Sequence, residues 1–229
     1  MKQIVLDNWL SSIMGKPAYV LHDSINLITR QDLPNHEIFI WTKIPINDLT
    51  KLENLQKLGF YIVDTNIQLS MKTQRSELKN INIRFATSND EKAIKNIAKN
   101  SFKNSRFHSD PQISEKVACK IKEEWAGNFF SGKRGRWMVV AEHNSTVVGF
   151  LQILSKSHDL IVIDLIAISE ENRGKGYAKD MILFASNKCL HKNGIIEVGT
   201  QIANRASLDL YKKLGFRIIS SSYVLHLHQ

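Results

Sequence analysis

The sequence predicts a mixed α/β protein: a central twisted mixed sheet, largely antiparallel in its middle section, flanked by helices. Three observations predict it. From residue 81 onward, strand-like and helix-like periodicities run in the order β-α-α-β-β-β-α-β-α-β. That is not the regular alternation of a doubly wound parallel sheet. A helix, a glycine stop and a β-branched run occur twice, at 52–69 and 208–225. Finally, the apolar strand 164–168 leads through a glycine-rich turn straight into a helix.

The repeated unit organises the N-terminal part. LENLQKLGFYIVDTNIQL (52–69) echoes LDLYKKLGFRIISSSYVL (208–225), with Leu58-Gly59-Phe60 matching Leu214-Gly215-Phe216. Gly59 and Gly215 supply the left-handed position that ends a helix. A common helix-to-strand junction would give Leu-Gly-Phe alone, but this match extends into the strands. The polar stretch 71–80 reads as a linker, which divides the chain into a smaller segment 1–80 and a larger domain 81–229.

Within the larger domain, 81–86 alternates as a strand, and Ser88 with Glu91 has capping-box spacing for a helix to about Asn100. Residues 113–129 carry Ile113, Val117, Ile121 and Trp125 at helical spacing. Strands follow at 137–142, 147–154 and 160–168, the first two joined by a turn at 143–145. A helix at about 176–191, a strand at 195–198, a helix at 204–214 and terminal strands complete the chain.

Composition bounds the function. Hydrophobic content of 43% and charged content of 23% suit a globular chain with a buried core. No run approaches the roughly 18 apolar residues of a membrane span, and Asp7 and Asn8 interrupt the N-terminal apolar stretch, against a secretory signal. Cys119 and Cys189 fit neither a disulfide framework nor a zinc site, which points to a reducing cytoplasm. The net charge of +9 comes from lysines spread along the chain. The Asn and Ile beside those lysines point first to a base-composition bias, and the charge also suits anionic ligands. No nucleic-acid-binding signature accompanies the charge, so no nucleic-acid partner is expected. A homodimer is left open.

The turn Ser169–Ala178 has the chemistry of anion capture. Glycines let the backbone approach a ligand, and the unpaired N–H groups of the next helical turn point toward it. Arg173 and Lys175 would add charge-assisted contacts. A tight turn with solvated basic residues would look the same in isolation. On the helix 204–214, Asn204, Ser207 and Tyr211 share one face, beside a packing stripe of Ala206, Leu210 and Leu214. Taken without the neighbouring motif, Tyr211 would be an ordinary packing residue.

Leu165-Ile166-Ala167-Ile168, the R-x-x-G-x-A spacing of Arg173, Gly176 and Ala178, and Asn204 followed by Leu210-Tyr211-Lys212-Lys213-Leu214-Gly215-Phe216 together resemble the signature of the GNAT acetyltransferases. The resemblance spans 81–229 in element order. It implies the GNAT fold, with 1–80 as a smaller, partial GNAT-like domain lacking the glycine loop. It also implies acetyl-CoA as co-substrate, with no metal. The amides of Arg173, Gly174, Lys175, Gly176, Tyr177 and Ala178 would hold the pyrophosphate. The edge of Leu165, Ile166, Ala167 and Ile168 would hold the pantetheine arm, with Asn204 and Tyr211 alongside. Tyr211 would be the acid that protonates the departing thiolate. Asp164 and Glu142 are carboxylates at strand ends, and neither is singled out as a base.

Asn104-Ser105-Arg106-Phe107-His108-Ser109-Asp110-Pro111, followed by a helix bearing Trp125, is similar to the corresponding region of dTDP-4-amino-sugar N-acetyltransferases. This implies an acceptor that is a nucleotide-linked amino deoxysugar destined for surface polysaccharide; a protein, polyamine or antibiotic amine as acceptor, and a non-catalytic acyl-CoA-binding module, are the alternative readings. Arg106 would pair with its diphosphate. Phe107, His108 and Trp125 would contact sugar or base. Core packing for Phe107 and Trp125, and an Arg106–Asp110 pair holding the loop, are the competing readings. His226 and His228 alternate on the last strand with no third metal ligand in view.

Overall fold

The computed structural model describes residues 4–22, 27–73, 82–191 and 193–229. The N-terminal part contributes β1 (Ile4–Leu6), α1 (Asn8–Met14), β2 (Ala18–Leu21), β3 (Phe39–Pro45), α2 (Leu49–Lys57) and β4 (Tyr61–Lys72). The rest contributes β5 (Ile83–Phe85), α3 (Glu91–Ser101), α4 (Glu115–Gly127), β6 (Trp137–His143), β7 (Thr146–Ser157), β8 (Leu160–Ile168), α5 (Tyr177–Cys189), β9 (Ile195–Gln201), α6 (Arg205–Lys213) and β10 (Arg217–His228). All ten described strands join one sheet in the order β1-β2-β3-β10-β4-β9-β8-β7-β6-β5. Pairing is antiparallel except between β2 and β3 and between β8 and β9.

Successive residues of a strand point to opposite faces, and the two faces are covered by different helices. Val139, Ala141 and Leu151 join Met181, Ile182 and Ala185 of α5 in one apolar cluster. Met138, Val140 and Phe150 join Ile94, Ile97 and Ala98 of α3 in another. Helix α4 begins at Glu115, behind the Ser114 cap, two residues later than the periodicity of 113–129 suggests. The capping box of α3 lies one position earlier than expected. Thr87 and Asp90 exchange the reciprocal bonds, and Ser88–Asp90 is a 3-10 turn leading into the helix. The β6–β7 turn is a two-residue hairpin in which Asn144 and Ser145 take φ of 48° and 61°.

The sequence echo is geometrical as well. Asp48 caps α2 as Asn204 caps α6, each accepting an N–H three residues on. The two positions lie 156 apart (204 less 48). The same offset relates Phe39–Pro45 of β3 to Ile195–Gln201 of β9, Gly59 (φ 96°) to Gly215 (φ 91°), and β4 to β10. Strands β4 and β10 pair antiparallel, and Asn66 lies opposite Ser222, its own counterpart at that offset. Strand β10 runs between β3 and β4, while β4 runs between β10 and β9. Each half thus inserts its last strand into the other's sheet, so the segments 1–80 and 81–229 share one continuous ladder. Residues 71 and 72, read as linker, extend β4, and 74–81 lie outside the described residues.

The halves differ where β8 passes to β9. That crossover carries the glycine turn and α5. Among the described residues, the corresponding passage from β2 to β3 holds only a 3-10 turn at Arg30–Asp32.

Candidate functional site

Strands β8 and β9 pair only from Leu160 to Ile163 and from Ile195 to Val198. Beyond that point β8 continues with β7 to Ile168, whereas β9 turns away with β4, Gln201 lying opposite Asn66. The two parallel neighbours therefore splay. Residues 164–168 keep one edge without a ladder partner, the sort of edge to which an extended ligand can hydrogen-bond. Leu165 and Ala167 point into the α3 side of the core, with Ile166 and Ile168 half-buried on the α5 side.

At the end of this edge, Gly174 and Gly176 adopt φ of 78° and 88°, with open space where a side chain would stand. No protein group among the described residues accepts the N–H of Gly174, Lys175 or Gly176, whereas the Arg173 N–H, expected to join them, donates to the Glu170 carbonyl that closes the preceding 3-10 turn. The first turn of α5 adds further unpaired amides. Such an arrangement of amides at a helix start can hold an oxygen anion. The side chains expected to assist it are engaged elsewhere. Arg173 donates to the carbonyls of Ile168 and Ser101, and Lys175 donates to Asn172 Oδ1 at 2.8 Å. The Tyr177 ring is buried, its hydroxyl 2.9 Å from His143 Nδ1. Ala178 is half-buried in the same turn.

Helix α6 turns differently from the face assigned in sequence. Leu210 and Leu214 pack on the core as the stripe expects, but Ala206 is exposed, and Tyr211, assigned to the ligand face, is buried with half-buried Leu208 beside it against the cluster of Ile163, Met181 and Val198. The hydroxyl of Tyr211 makes no hydrogen bond among the described residues. Burial raises its pKa above the ordinary 10, so the phenol keeps its proton across neutral pH. Asn204, expected on a ligand face, spends its side chain on the helix cap instead, its Oδ1 3.2 Å from the Ser207 N–H.

A cavity of about 570 Å³ opens at the splay. Val162, Ile163 and Asp164 of β8 and Gly199 and Gln201 of β9 form part of its wall. Strand β4 adds Asp64, Asn66 and Gln68, alternate residues on one face of the strand. The aromatic groups are Trp9, Trp41, Phe107 and Trp125. Five cations, Lys43, Arg106, Lys122, Lys133 and Arg134, outnumber three carboxylates, Asp7, Asp64 and Asp164.

Several of these charges are paired and others are not. Asp164 is held by Arg134 in a two-pronged contact of 2.7 and 2.6 Å, and it also accepts from Trp125 Nε1 and Gln152 Nε2. It is a structural carboxylate rather than a free base. Glu142 pairs with Arg84 away from the cavity. The Arg106 guanidinium lies 3.5 Å over the Trp41 ring and 4.6 Å from that of Phe107, with no acceptor for its Nε. The expected alternative, an Arg106–Asp110 pair, is absent, because Asp110 faces His226 and His228. Lys122 sits over Trp125 and Phe102, with no carboxylate in contact. Burial, with Arg106 adding to it, pushes the Lys122 ammonium down to about 7; the same two causes push Lys43 to about 8. Burial lowers Arg106 to about 9. Burial raises the Asp64 carboxyl, against the pull of Lys43 and Arg106. Burial works against the positive charge of Lys43, Arg106 and Lys122, and an anion placed among them would offset that cost.

Of the acceptor residues expected from sequence, Arg106, Phe107 and Trp125 line the cavity and His108 does not; Phe107, 1% exposed, and Trp125 also pack with Leu10, Phe39 and Ile121, as the core reading of these two expects. His108 Nδ1 lies 2.6 Å from Ser105 Oγ and Nε2 lies 3.7 Å from Cys119 Sγ, so it braces the loop from behind. Sequence reasoning missed Lys43, Asp64, Asn66 and Gln68, all from the N-terminal part. The alternation of polar residues at 64, 66 and 68 with largely apolar neighbours is the signal of a strand with one polar face, but nothing local says that this face lines a cavity. Lys122 interrupts the apolar face of α4 between Ala118 and Trp125, a second such signal.

The acetyltransferase (GNAT) family profile matches residues 93–216. Over 82% of this chain, the spore coat polysaccharide biosynthesis protein SpsD of Bacillus subtilis is 29% identical, and the match spans 66% of its length. The dTDP-fucosamine acetyltransferase of Escherichia coli is 22% identical over 82% of this chain and 80% of its own. Among solved structures, a conserved protein of unknown function from Staphylococcus epidermidis superposes with a TM-score of 0.70 at 13% identity, covering 99% of this chain and 91% of its own. That likeness extends over the whole fold, both halves included. No described helix is long and apolar enough to cross a membrane.

Proposed function

We propose a reaction from one premise, that the chain belongs to the acetyltransferase (GNAT) family and is an acyltransferase using acetyl-CoA: it acetylates the amino group of a nucleotide-linked amino deoxysugar. The observation that carries the acceptor assignment is the buried, unpaired positive charge of Arg106 and Lys122 in a cavity walled by Trp41, Phe107 and Trp125. A diphosphate meets the charge and a base or sugar ring meets the aromatic faces. A polyamine or a lysine side chain would bring more positive charge to a site already rich in it. The names of the two curated relatives, a polysaccharide biosynthesis protein and a dTDP-sugar acetyltransferase, support the same class.

In this reading the amides of 174–178 hold the coenzyme's diphosphate and the free edge of 164–168 aligns its arm toward the splay. The glycine conformations and the unclaimed N–H groups fit that task. Coenzyme binding supplies the thioester. The chain's own residues then orient the amine and move the proton. Neighbouring cations disfavour the ammonium form of the acceptor, leaving the neutral amine that attacks. As the N–C bond forms and the C–S bond breaks, the Tyr211 phenol delivers its proton to sulfur, and the amine's proton leaves through solvent in the cavity. The segment 1–80 is a degenerate copy of the second half, retained for the acceptor wall that β3 and β4 provide.

Thiol release measured with dTDP- and UDP-linked amino sugars, peptides and polyamines tests this reading. Turnover with at least one nucleotide-linked amino sugar is expected. Activity confined to peptides or polyamines would refute it.

A further inference from the structure

The S-R-F-x-x-D-P segment contains one residue that the acceptor cavity leaves unexplained. Asp110 is buried, 1% exposed, on the loop between α3 and α4 that also carries Arg106 and Phe107. Its Oδ2 lies 2.6 Å from His226 Nδ1 and 2.9 Å from His228 Nε2, both on β10. Its Oδ1 accepts from the Tyr61 hydroxyl of β4 at 2.7 Å and from the Gln112 N–H of its own loop at 2.9 Å. Tyr61 also accepts from Gln112 Nε2 at 3.1 Å. Burial alone would raise the Asp110 pKa, but these four donors hold it well below the usual carboxylate range, so it is ionised. Burial lowers His226 to about 4, against the pull of Asp110, so this imidazole is neutral and its N–H faces the carboxylate.

We propose that Asp110 is the positioning residue of the acceptor site: a buried carboxylate that fastens the Arg106–Phe107 loop to the two exchanged strands. The proposal rests on the acceptor assignment above. His226 and His228 stand two apart and so share a face of β10, and His226 pairs across the sheet with Tyr61 on one side and Trp41 on the other. Trp41 is the ring under the Arg106 guanidinium. The carboxylate thus fixes the loop against the same sheet face that carries Arg106's platform, four residues away in sequence. Phe107 is held between, its ring 6.1 Å from that of His226. Each half of the chain contributes: Tyr61 from β4, the histidines from β10 and Asp110 from the loop. The separations of 2.6 and 2.9 Å are hydrogen-bond distances, shorter than the roughly 3.3 Å expected between two ligands each about 2.0 Å from a tetrahedral metal.

Asp110→Asn keeps the shape and removes the charge. We expect the KM for the nucleotide-linked acceptor to rise about tenfold or more, with kcat and the KM for acetyl-CoA little changed. Hydrogen exchange of the loop amides that point at Ser105 and Asp110, on residues 108, 109, 112 and 113, should accelerate in the same variant. Tyr61→Phe removes one of the four donors without leaving a buried charge bare. It is expected to give a smaller shift of the same kind, and it answers the question should Asp110→Asn fail to fold. An acceptor KM equal to wild type in a folded variant overturns the proposal, as does unchanged loop exchange. Stoichiometric zinc in the wild type, lost in Asp110→Asn, would also overturn it. Wild-type silence toward every nucleotide sugar would instead sink the acceptor assignment, while loop exchange still reads the role of Asp110 independently of it.

Discussion

Tyr211 stands where Leu55 stands in the other half of the chain: their carbonyls accept the N–H of Phe216 and of Phe60, each at 3.0 Å, and the two positions differ by the constant offset of 156 (211 less 55). One helix of the pair therefore presents a phenol and the other an aliphatic side chain at the same place in the fold. Only the half with the glycine turn has the phenol. If Tyr211 is the acid, Tyr211→Phe keeps the ring and its contact with Phe216. It should lower kcat roughly 10²-fold while leaving acetyl-CoA affinity unchanged by calorimetry. Wild-type turnover in this variant would remove the tyrosine from the chemistry.

Gly176 holds a φ of 88°, and a Cβ added there would meet no atom within 4 Å, so its constraint is backbone strain rather than space. A β-branched residue forced into this left-handed region costs about 1–2 kcal/mol. Gly176→Val should therefore weaken acetyl-CoA binding about tenfold, measured by calorimetry, with the thermal midpoint nearly unaltered if the turn simply relaxes.

At Gly199 the limit is space. An added Cβ would come within 2.5 Å of Gln68 Oε1 and 3.3 Å of Asn66 Nδ2, both in the cavity wall. Because the nearer atom ends a flexible side chain, the cost is at the low end of overpacking, about 1 kcal/mol. Gly199→Ala should raise the acceptor KM severalfold and leave the KM for acetyl-CoA alone, which steady-state kinetics with both substrates would show.

Lys122 gives a pH signature. Its pKa falls from 10.5 to about 7 through burial first, then repulsion from Arg106, with Arg134 and Lys43 adding and Asp164 opposing. Between those values the unfolded chain holds a proton the folded protein lacks. Stability contributed at this site should therefore rise with pH from about 7 to 10.5. A bound diphosphate favours the ammonium, so acceptor binding near pH 8 should take up protons. Calorimetry in buffers of different ionisation enthalpy would measure the uptake, and Lys122→Met should diminish it.

Periodicity and glycine placement made much of this fold readable: the hairpin strands, α5 and α6, and the echo at 52–69 follow from local rules. The exchange of β4 and β10 did not. Strand partners are set by contacts distant in sequence, and both strands carry side-chain patterns that any neighbour in the sheet would accept. The same gap hid half of the acceptor wall, since nothing local tells that Asp64, Asn66 and Gln68 meet Arg106. It also hid the partnership of Asp110 with His226 and His228, which are 116 and 118 residues away. Asn204 and Ala206 show the opposite limit. Their helical spacing was read correctly, but the rotation of α6 about its axis is fixed by how Tyr211 packs, which spacing alone does not determine.

The central claim is that unpaired cations beside the splay recognise a diphosphate joined to the amine. The direct measurement is kcat/KM for thiol release with one amino deoxysugar presented as its nucleotide diphosphate conjugate and again as the free sugar. The account predicts a preference for the conjugate of at least about 10²-fold, in line with roughly 1.5–3 kcal/mol for each charge-assisted contact, and a sharp loss of that preference in Arg106→Met. Equal rates for the two forms, or a preference untouched by Arg106→Met, would contradict it.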